Sequence, residues 1–379
     1  MPDTRLVRTF LDTTHLRLAE QVQAFAAEQI ATRREPAGDA EARREAREVL
    51  RLLGRGGWLR PILDLDLRAC CLIREALGAV SPLADAVFAL QGLGTTPILL
   101  RGSAAQKARW LEPIAAGEVM TAFAMTEPEA GSDVAAISTR ARREGDDYVL
   151  EGGKTLISNA GIADLYIVFA STDPAAGPRG ISCFLVPANT SGLVFGGAQV
   201  LSAPHPLGEL RFEQCRVPRE SLLGEEGRGF GIGLAALDRL RPTVAAAACG
   251  MAERALAESL AHVKGRRQFG KPLADFQLVQ QKLARMATDL TAARLLVYRA
   301  AYEKDQGQDR ITVEAAMAKS FATEMAQRAV DDAVQLIGGR GVLASHPVDH
   351  LYRAVRALRI YEGTTEIQQL IIAGELLKG

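Results

Sequence analysis

The sequence predicts an α+β protein in which two helical domains flank a middle β domain, in the order α, β, α. Before residue 120 and after residue 230, apolar residues recur every three or four positions, which is the spacing of amphipathic helices. Between these regions, short apolar runs alternate with turn residues, as expected for strands. The chain has 379 residues, too many for one ordinary core, so several domains are expected.

The first domain, residues 1–120, is predicted to be helical. Leu16, Ala19, Val22 and Ile30 keep the helical spacing in its first amphipathic segment. The segments that follow are separated by glycine, proline or serine, which are residues typical of helix ends. Further helices are expected at residues 41–53, 66–80, 84–94, 97–101 and 104–116.

The second domain, residues 121–228, is predicted to be an antiparallel β-barrel or sandwich. Turn sequences such as Glu144-Gly145-Asp146-Asp147 separate its apolar runs. No helical segment lies between these runs, which favours antiparallel pairing over βαβ units. Strands are expected around residues 148–150, 165–170, 181–186, 193–195 and 210–212.

The third domain, residues 229–379, is predicted to be a four-helix bundle. Its first helix, at residues 231–263, contains Pro242 and is expected to kink near Leu240. Short connections between long helices predict antiparallel neighbours. The other apolar stripes run through residues 276–297, 313–336, 347–360 and 367–377.

Composition and charge exclude several classes of protein. Lys+Arg and Asp+Glu both number 45, so the chain lacks a bulk charge that would attract nucleic acid or an anionic membrane. Five cysteines without a CxxC pair fit a reducing compartment. The N-terminus has no apolar signal core, and no charge-free apolar run of about 18 residues occurs. We therefore expect a cytoplasmic protein without a membrane span.

The strongest candidate for chemistry is Glu362. It lies between two helical runs and is followed by Gly363, which lets a ligand approach the backbone closely. For this stretch alone, a solvated glutamate in a helix–helix connection is the simpler interpretation. Other motifs in the chain favour a catalytic one.

Four further motifs each have a functional and a structural interpretation. The polar loop Thr126–Asp133 suits a phosphate or a ring edge, or is a turn at a domain junction. The segment Lys154–Gly161 presents Ser158 from a strand edge, or is a hairpin. The pair Arg266-Arg267 suits a pyrophosphate or interacts with a helix dipole. Gln335 precedes Gly338, and glycine at that point is common as a helix cap.

Other mechanisms lack their motifs. The sequence contains no GxGxxG, no P-loop and no GxSxG elbow. His346 and His350 are four residues apart, but no HExxH-like partner supports them, so no metal site is expected.

Taken together, these motifs resemble the acyl-CoA dehydrogenase family over residues 15–379. The resemblance implies the family fold, with an N-terminal helical domain, a middle β domain and a C-terminal four-helix bundle. It also implies one FAD per subunit and a homotetramer built as a dimer of dimers. The matching blocks, in the family's order and spacing, are residues 124–133, 154–161, 266–270, 335–341 and 361–364.

The resemblance also implies residue roles. Glu362 is implied to be the catalytic base. FAD is implied to lie between two subunits, with Gln335 and Gly339 supplied by the neighbouring one. The implied cofactor contacts are Met125, Thr126, Gly131, Ser132, Leu156, Ser158, Arg266, Phe269, Gln277, Gln335, Gly338, Gly339, Thr364 and Glu366. The implied substrate contacts are Ser132, Asp238, Arg241 and Gly363, and Asp238 and Arg241 share one helix face.

The implied reaction is dehydrogenation of an acyl-CoA thioester to the trans-2-enoyl-CoA. Glu362, made a stronger base by desolvation, takes the α-proton, and the flavin takes the β-hydride. A short, branched or cyclic acyl group is expected. One alternative is an acyl group on a carrier protein. A second is a non-catalytic flavoprotein that binds nucleic acid, which the balanced charge and the presence of Glu362 disfavour.

Three positions depart from the family's usual pattern. Leu156 stands where an aromatic residue is usual, so electron-transfer flavoprotein and another acceptor both stay open. Glu366 stands where glutamine is also common. Residues 61–66 replace a loop with a Gly-Gly pair that usually lies near the acyl pocket, so the resemblance does not fix the acyl chain length.

Overall fold

The N-terminal region of the described residues is helical, as predicted. The computed structural model describes residues 4–378. A 3₁₀ turn at Thr4–Phe10 precedes the first α-helix, which continues into a π-helical turn at Ala26–Ile30. The α-helices of this region are α1 Thr13–Phe25, α2 Asp39–Arg55, α3 Arg60–Leu63, α4 Leu67–Val80, α5 Pro82–Arg101 and α6 Ala104–Ala115.

Helix α5 is continuous where the sequence predicted two helices. It runs through Pro97 without a break, although a proline inside a helix removes one backbone hydrogen bond. Most of the helix is buried, and tertiary packing outweighs this local cost. By length and composition α5 is apolar enough to cross a membrane, but 83% of its most apolar window is buried inside the protein, as in a core helix.

The middle of the chain forms a seven-stranded sheet. Its strands follow the order β1-β4-β2-β3-β7-β6, and β5 pairs with β4. The predicted β domain is confirmed, but the sheet is mixed rather than purely antiparallel. β1 and β2 both run parallel to β4. Parallel strands need a crossover connection, and the β2–β3 hairpin lies within the one that joins β1 to β4. The strands are β1 Thr121–Ala124, β2 Arg140–Glu144, β3 Asp147–Ser158, β4 Leu165–Ser171, β5 Ile181–Pro187, β6 Leu193–Ala198 and β7 Leu207–Pro218.

Long helices dominate the last part of the chain. Helix α7 continues through Pro242 as a single element. Asp332 near the end of α9 binds Lys282 near the start of α8, so these two helices are antiparallel. The elements are α7 Gly229–Gly265, β8 Arg267–Gln268, β9 Lys271–Pro272, α8 Gln277–Asp305, α9 Thr312–Ile337, α10 Pro347–Leu358 and α11 Thr365–Leu376.

The described chain divides into two compact units, each made from separate stretches of sequence. The first unit contains residues 4–34, 66–85 and 238–378 and is helical. The second contains residues 35–65 and 86–237 and holds the seven-stranded sheet. The predicted domain boundaries near residues 120 and 228 stay a prediction.

In the first unit, α4 and α7 pack closely against each other. A Cβ atom on Gly250 would lie 2.0 Å from the carbonyl oxygen of Glu75, so only glycine permits this approach. The buried Glu75 carboxylate accepts hydrogen bonds from Arg294 Nε and Tyr298 Oη, both at 2.7 Å. This network ties α4 to α8 and satisfies a charge that is costly to bury alone.

A group of potential metal ligands lies where α1 meets α4. One ligand atom each from His15, Asp66 and Asp305 lies within 4.8 Å of the others. Asp66 accepts from the Ala69 N–H at the start of α4, and Asp305 accepts from Arg68 Nε at 2.8 Å. These carboxylates are therefore occupied as helix caps and ion-pair partners.

In the second unit, β4 is buried on both faces. Its alternate residues belong to two different apolar clusters, Tyr166 and Val168 to one and Ile167 and Phe169 to the other. The second cluster also contains Ile98, so helix α5 covers that face. A strand covered on both sides has apolar residues at successive positions, which explains the continuous apolar sequence of residues 165–170. All five cysteines are buried free thiols.

Candidate active site

Glu362 lies in a tight bend between α10 and α11. Its φ is +55° and that of Gly363 is +91°, so two successive residues adopt left-handed backbone conformations. Such a conformation strains a non-glycine residue and persists only where the surroundings impose it. Thr364 caps α11 through its side-chain oxygen, which accepts from the Ile367 N–H at 3.3 Å.

Helix α9 fixes both ends of this bend. The Glu324 carboxylate accepts from Arg359 Nε and from the Thr365 hydroxyl, each at 2.7 Å. Arg359 follows α10 and Thr365 begins α11, so one side chain holds the bend from both sides. The backbone N–H of Thr365 also donates to the Arg359 carbonyl at 3.1 Å.

Three buried side chains bind the two carbonyl groups at the centre of the bend. Lys319 Nζ donates to the Gly363 carbonyl at 2.6 Å. Gln368 Nε2 donates to the Gly363 carbonyl at 3.0 Å and to the Glu362 carbonyl at 3.2 Å. Arg241 Nε donates to the Glu362 carbonyl at 3.3 Å. Helices α7, α9 and α11 thus impose the strained conformation of Glu362.

Burial and nearby charges both act on the pKa of the Glu362 carboxyl group. The residue is half-buried, but its Oε2 atom is fully buried and has no hydrogen-bond partner within residues 4–378. Burial raises the pKa of Glu362, while the positive charges of Arg74, Lys319 and Arg241 act to lower it. A carboxyl group with a raised pKa suits proton abstraction near neutral pH.

Arg74 is the charge that acts most strongly on Glu362. It is buried and forms a bidentate ion pair with Asp85, with N–O distances of 2.7 and 2.9 Å. Its Nη1 donates to the hydroxyl of Thr243 on α7 at 2.9 Å. The guanidinium is therefore fixed in place, and the pair contributes a fixed charge distribution beside the bend.

In the second unit, Glu127 and Lys154 organise the loop that follows β1. Both side chains are buried, and Lys154 Nζ lies 2.7 Å from Glu127 Oε1. Lys154 also donates to the Met125 carbonyl at 3.1 Å. The Glu127 carboxylate accepts from the backbone N–H groups of Ser138 and Thr139 at 2.6 and 3.1 Å. These bonds fix the backbone of residues 125–127.

This arrangement predicts an acid-sensitive contribution to stability. Burial opposes ionisation of Glu127, but Lys154 and the hydrogen bonds outweigh it and lower its pKa to about 2. A carboxyl group whose pKa is lowered by folding stabilises the fold above its ordinary pKa of 4.5. The contribution is lost as pH falls through the folded pKa.

We therefore expect the free energy of unfolding of the native protein to exceed that of Glu127→Gln at pH 6. The difference should shrink as pH falls from about 4.5 toward about 2. Urea denaturation of both proteins at several pH values measures it. A difference that does not change with pH would show that the ionised Glu127 does not stabilise the fold.

The other predicted residues of the second unit lie on or near this loop and β3. Met125 is buried and Thr126 half-buried, whereas Gly131 and Ser132 are exposed. Leu156 is 56% exposed, with a φ of +55°. The Leu156 N–H donates to Gln199 Oε1 at 2.8 Å, which helps to hold this strained backbone conformation.

Ser158, predicted to contact the cofactor, is bonded to a histidine. Its hydroxyl lies 2.7 Å from His205 Nε2. Burial, aided by the positive charge of Arg43, lowers the pKa of His205 to about 4, so its imidazole is neutral at pH 7. The buried His205 Nδ1 has no partner among the described residues. The neutral ring therefore fixes the orientation of the Ser158 hydroxyl.

In the first unit, the predicted cofactor residues outside the bend are exposed. Phe269 is 93% exposed, with a φ of +49°. A Cβ atom added to Gly338 or Gly339 would meet no atom within 4 Å, so the backbone there is open to approach. The exposed side chains in this group are Arg266, Phe269, Gln277, Gln335 and Glu366.

The predicted substrate pair Asp238 and Arg241 lies on one face of α7, as the spacing indicated, and the two side chains form an ion pair. Asp238 also accepts from the Thr312 hydroxyl at 2.8 Å. Arg241 is buried and binds the Glu362 carbonyl. Its observed role is thus to hold the bend, and contact of either residue with a substrate stays a prediction.

Sequence reasoning missed Lys319, Gln368 and Arg74. A signal for Lys319 was present: it occupies the apolar stripe of α9, at helical spacing from Ala315 and Ala322. A charged residue at a core position is buried only with a specific partner. Arg74 likewise interrupts the apolar sequence of α4.

Models of the three acyl-CoA dehydrogenase domains match the chain in order. The N-terminal domain model matches residues 12–118, the middle domain model residues 122–215 and the C-terminal domain model residues 227–377. The human mitochondrial short-chain specific acyl-CoA dehydrogenase is 45% identical over 284 residues, which are 74% of this chain and 69% of that protein. A 3-(aryl)acrylate reductase of Clostridium sporogenes is 43% identical over 316 residues, 83% of this chain and 84% of that protein.

Solved structures agree with this assignment. Butyryl-CoA dehydrogenase from Megasphaera elsdenii is similar with a TM-score of 0.89 at 34% identity, covering 97% of this chain and 99% of that one. A prolyl acyl carrier protein oxidase is similar with a TM-score of 0.88 at 28% identity, covering 97% and 99% of the two chains. The fold is the predicted one, and the chain belongs to the acyl-CoA dehydrogenase family of flavin-dependent oxidoreductases.

Proposed function

We propose that this protein is an FAD-dependent dehydrogenase of an acyl-CoA thioester in which Glu362 removes the α-proton. The observation that carries the proposal is the state of the Glu362 carboxyl group. It projects from a strained bend that three buried side chains impose, its pKa is raised by burial, and its buried Oε2 has no hydrogen-bond partner among the described residues. Such a group is poised to receive a proton.

The α-hydrogen of a thioester is a weak acid, so its removal needs a desolvated base and stabilisation of the enolate that forms. Glu362 supplies the base through the buried Oε2 atom. The carbonyl groups of Glu362 and Gly363 are already occupied by Lys319, Gln368 and Arg241. The backbone N–H of Glu362 is proposed to donate a hydrogen bond to the thioester oxygen, where negative charge develops.

The exposed residues of each unit fit FAD. Arg266 suits a diphosphate through charge-assisted hydrogen bonds. Phe269 is 93% exposed, an arrangement that a bound ring system or a second subunit would relieve. When bound, the flavin accepts the β-hydride and so supplies the redox step. Met125, Thr126 and the exposed Ser132 are proposed to lie against it, on the backbone that Glu127 and Lys154 fix.

The open backbone at Gly338 and Gly339 supports a shared cofactor site. We propose that Gln335 and Gly339 of a neighbouring subunit complete the site around Arg266, in a homotetramer built as a dimer of dimers. Thr364 and Glu366 are proposed to face the same FAD. The buried free thiols support a reducing, cytoplasmic location.

The names of the relatives support a short acyl group on CoA, and branched or cyclic groups fit the same chemistry. The likeness to a prolyl acyl carrier protein oxidase supports a second candidate, an acyl group on a carrier protein. The electron acceptor is proposed to be electron-transfer flavoprotein or another acceptor, and Leu156 in place of the usual aromatic residue keeps both open.

We expect the purified holoenzyme to be yellow and its flavin to bleach anaerobically with at least one short, branched or cyclic acyl-CoA. Stopped-flow absorbance with a panel of acyl-CoAs measures this. The same acyl groups on phosphopantetheine and on a carrier protein form the matched comparison. Bleaching only by the carrier-bound substrates would favour the second candidate, and a flavin that no thioester reduces would contradict both.

A further inference from the structure

Lys319 is a fully buried lysine two turns into α9. Lysine is almost never fully buried unless it is paired, because the ammonium group loses its hydration. Its hydrogen-bond acceptor is the backbone carbonyl of Gly363, at 2.6 Å, rather than a carboxylate. Its neighbours one turn away, Ala315 and Ala322, are also buried, so Lys319 lies on the core face of α9.

We propose that Lys319 is a positioning residue for proton transfer, which holds the bend at Gly363 and places a fixed positive charge beside Glu362. The proposal deepens the proposed function, since it rests on Glu362 being the base. Lys319 touches neither substrate nor cofactor in this account and acts only through Glu362.

Lys319 differs from Gln368 in its charge and from Arg241 in the carbonyl group that it binds. Gln368 binds the same carbonyl at 3.0 Å but is neutral, and Arg241 binds the preceding carbonyl. Removing Lys319 therefore leaves each carbonyl with at least one donor. The conformation should survive in large part, while the positive charge disappears.

Charged groups from five helices surround this pair. Those that act on Glu362 are Arg74 and Asp85 from α4 and α5, Arg241 from α7 and Lys319 from α9. Those that act on Lys319 are Glu362, Arg241, Glu324 and, in the first turn of α11, Glu366. Burial lowers the pKa of Lys319 to about 8 while the negative charge of Glu362 acts to raise it, so Lys319 is largely protonated at pH 7. Its charge limits how far burial raises the pKa of Glu362.

The test compares Lys319→Met with Lys319→Arg, which keeps the positive charge. Thr323→Val is the matched control, because Thr323 is buried one turn along α9 and donates only to the Lys319 backbone carbonyl at 2.9 Å. The direct readout is the pKa of the Glu362 carboxyl group, from ¹³C NMR of glutamate-labelled holoenzyme. Loss of the signal in Glu362→Gln assigns it.

We expect the Glu362 pKa to be higher in Lys319→Met, close to native in Lys319→Arg and native in Thr323→Val. At a pH well below both the native and the raised pKa, flavin reduction in Lys319→Met should be slower than native, about tenfold for a pKa that is higher by one, because the protonated carboxyl group cannot accept a proton. The rate should recover as pH rises. An unchanged pKa in a folded Lys319→Met protein would overturn the proposal.

Should Lys319→Met fail to fold, Lys319→Gln keeps a hydrogen-bond donor for Gly363 and removes the charge. A native Glu362 pKa in that variant would equally overturn the proposal, and a raised pKa would support it. The NMR titration needs no turnover, so it decides the role of Lys319 even if no acyl thioester reduces the flavin. That second result would overturn the proposed function, and with it a role of Lys319 in proton transfer, but not the effect of the Lys319 charge on Glu362.

Discussion

Glu362→Gln is expected to slow anaerobic flavin reduction by a good acyl thioester about 10²–10⁴-fold, or roughly 3–5 kcal/mol in the barrier. Glutamine keeps the size of the side chain and its hydrogen-bonding capacity but cannot accept the α-proton. FAD content and ligand binding should persist. The bend is held by hydrogen bonds to its backbone carbonyl groups, which do not depend on the Glu362 side chain. Stopped-flow absorbance under anaerobic conditions measures the rate.

Glu375→Gln is the matched control for this substitution. Glu375 lies on α11, where it pairs with Lys378 near the C-terminus, and we place it in no part of the site. Its substitution should leave the rate unchanged. If Glu362→Gln reduced flavin at the native rate, the assignment of Glu362 as the base would be wrong.

A relocated carboxylate tests the same assignment by gain of activity. Leu240 is a buried apolar residue next to Arg241, which binds the Glu362 carbonyl. The double variant Glu362→Gly with Leu240→Glu is expected to recover part of the activity lost in Glu362→Gly. Recovery should be incomplete, since an error of about 1 Å in the position of a reacting group is costly.

Lys154→Met is expected to lower the free energy of unfolding by about 3–5 kcal/mol, because it leaves the buried Glu127 carboxylate without its counter-ion. It also removes the bond to the Met125 carbonyl, so FAD should dissociate more readily. Urea denaturation and flavin release on dilution measure the two effects.

Lys107→Met provides the control for Lys154→Met. Lys107 lies on α6 in the same unit and is half-buried rather than fully buried. Its loss should change the free energy of unfolding by no more than about 0.5 kcal/mol. Equal effects of the two substitutions would contradict the special role of the Glu127–Lys154 pair.

Local sequence patterns predicted the helices and the position of Glu362 because these depend on residues close together in the chain. The stripe that predicts α9 and the break at Gly363 are of this kind. The continuity of α5 through Pro97 was missed, since packing against other elements decides it. The parallel pairing of β1 with β4 was missed for a similar reason, because strand partners are distant in sequence.

Some residues of the candidate site could likewise be predicted from the sequence, and others could not. The motif Glu362-Gly363-Thr364 and the spacing of Asp238 and Arg241 are visible in the sequence. The residues that hold the bend are not, because Lys319 is more than 40 positions from the carbonyl it binds and Arg74 is further still from Glu362. Only the fold brings these charges together.

Exchange of the substrate's α-hydrogen with solvent tests the central claim most directly. Native holoenzyme and Glu362→Gln are incubated anaerobically in D₂O with an acyl-CoA that bleaches the native flavin, and deuterium at the α-carbon is measured by NMR. Because proton transfer to Glu362 is reversible under these conditions, the native protein should introduce deuterium there, and Glu362→Gln should introduce none above the buffer rate. Exchange by Glu362→Gln at the native rate would contradict the account.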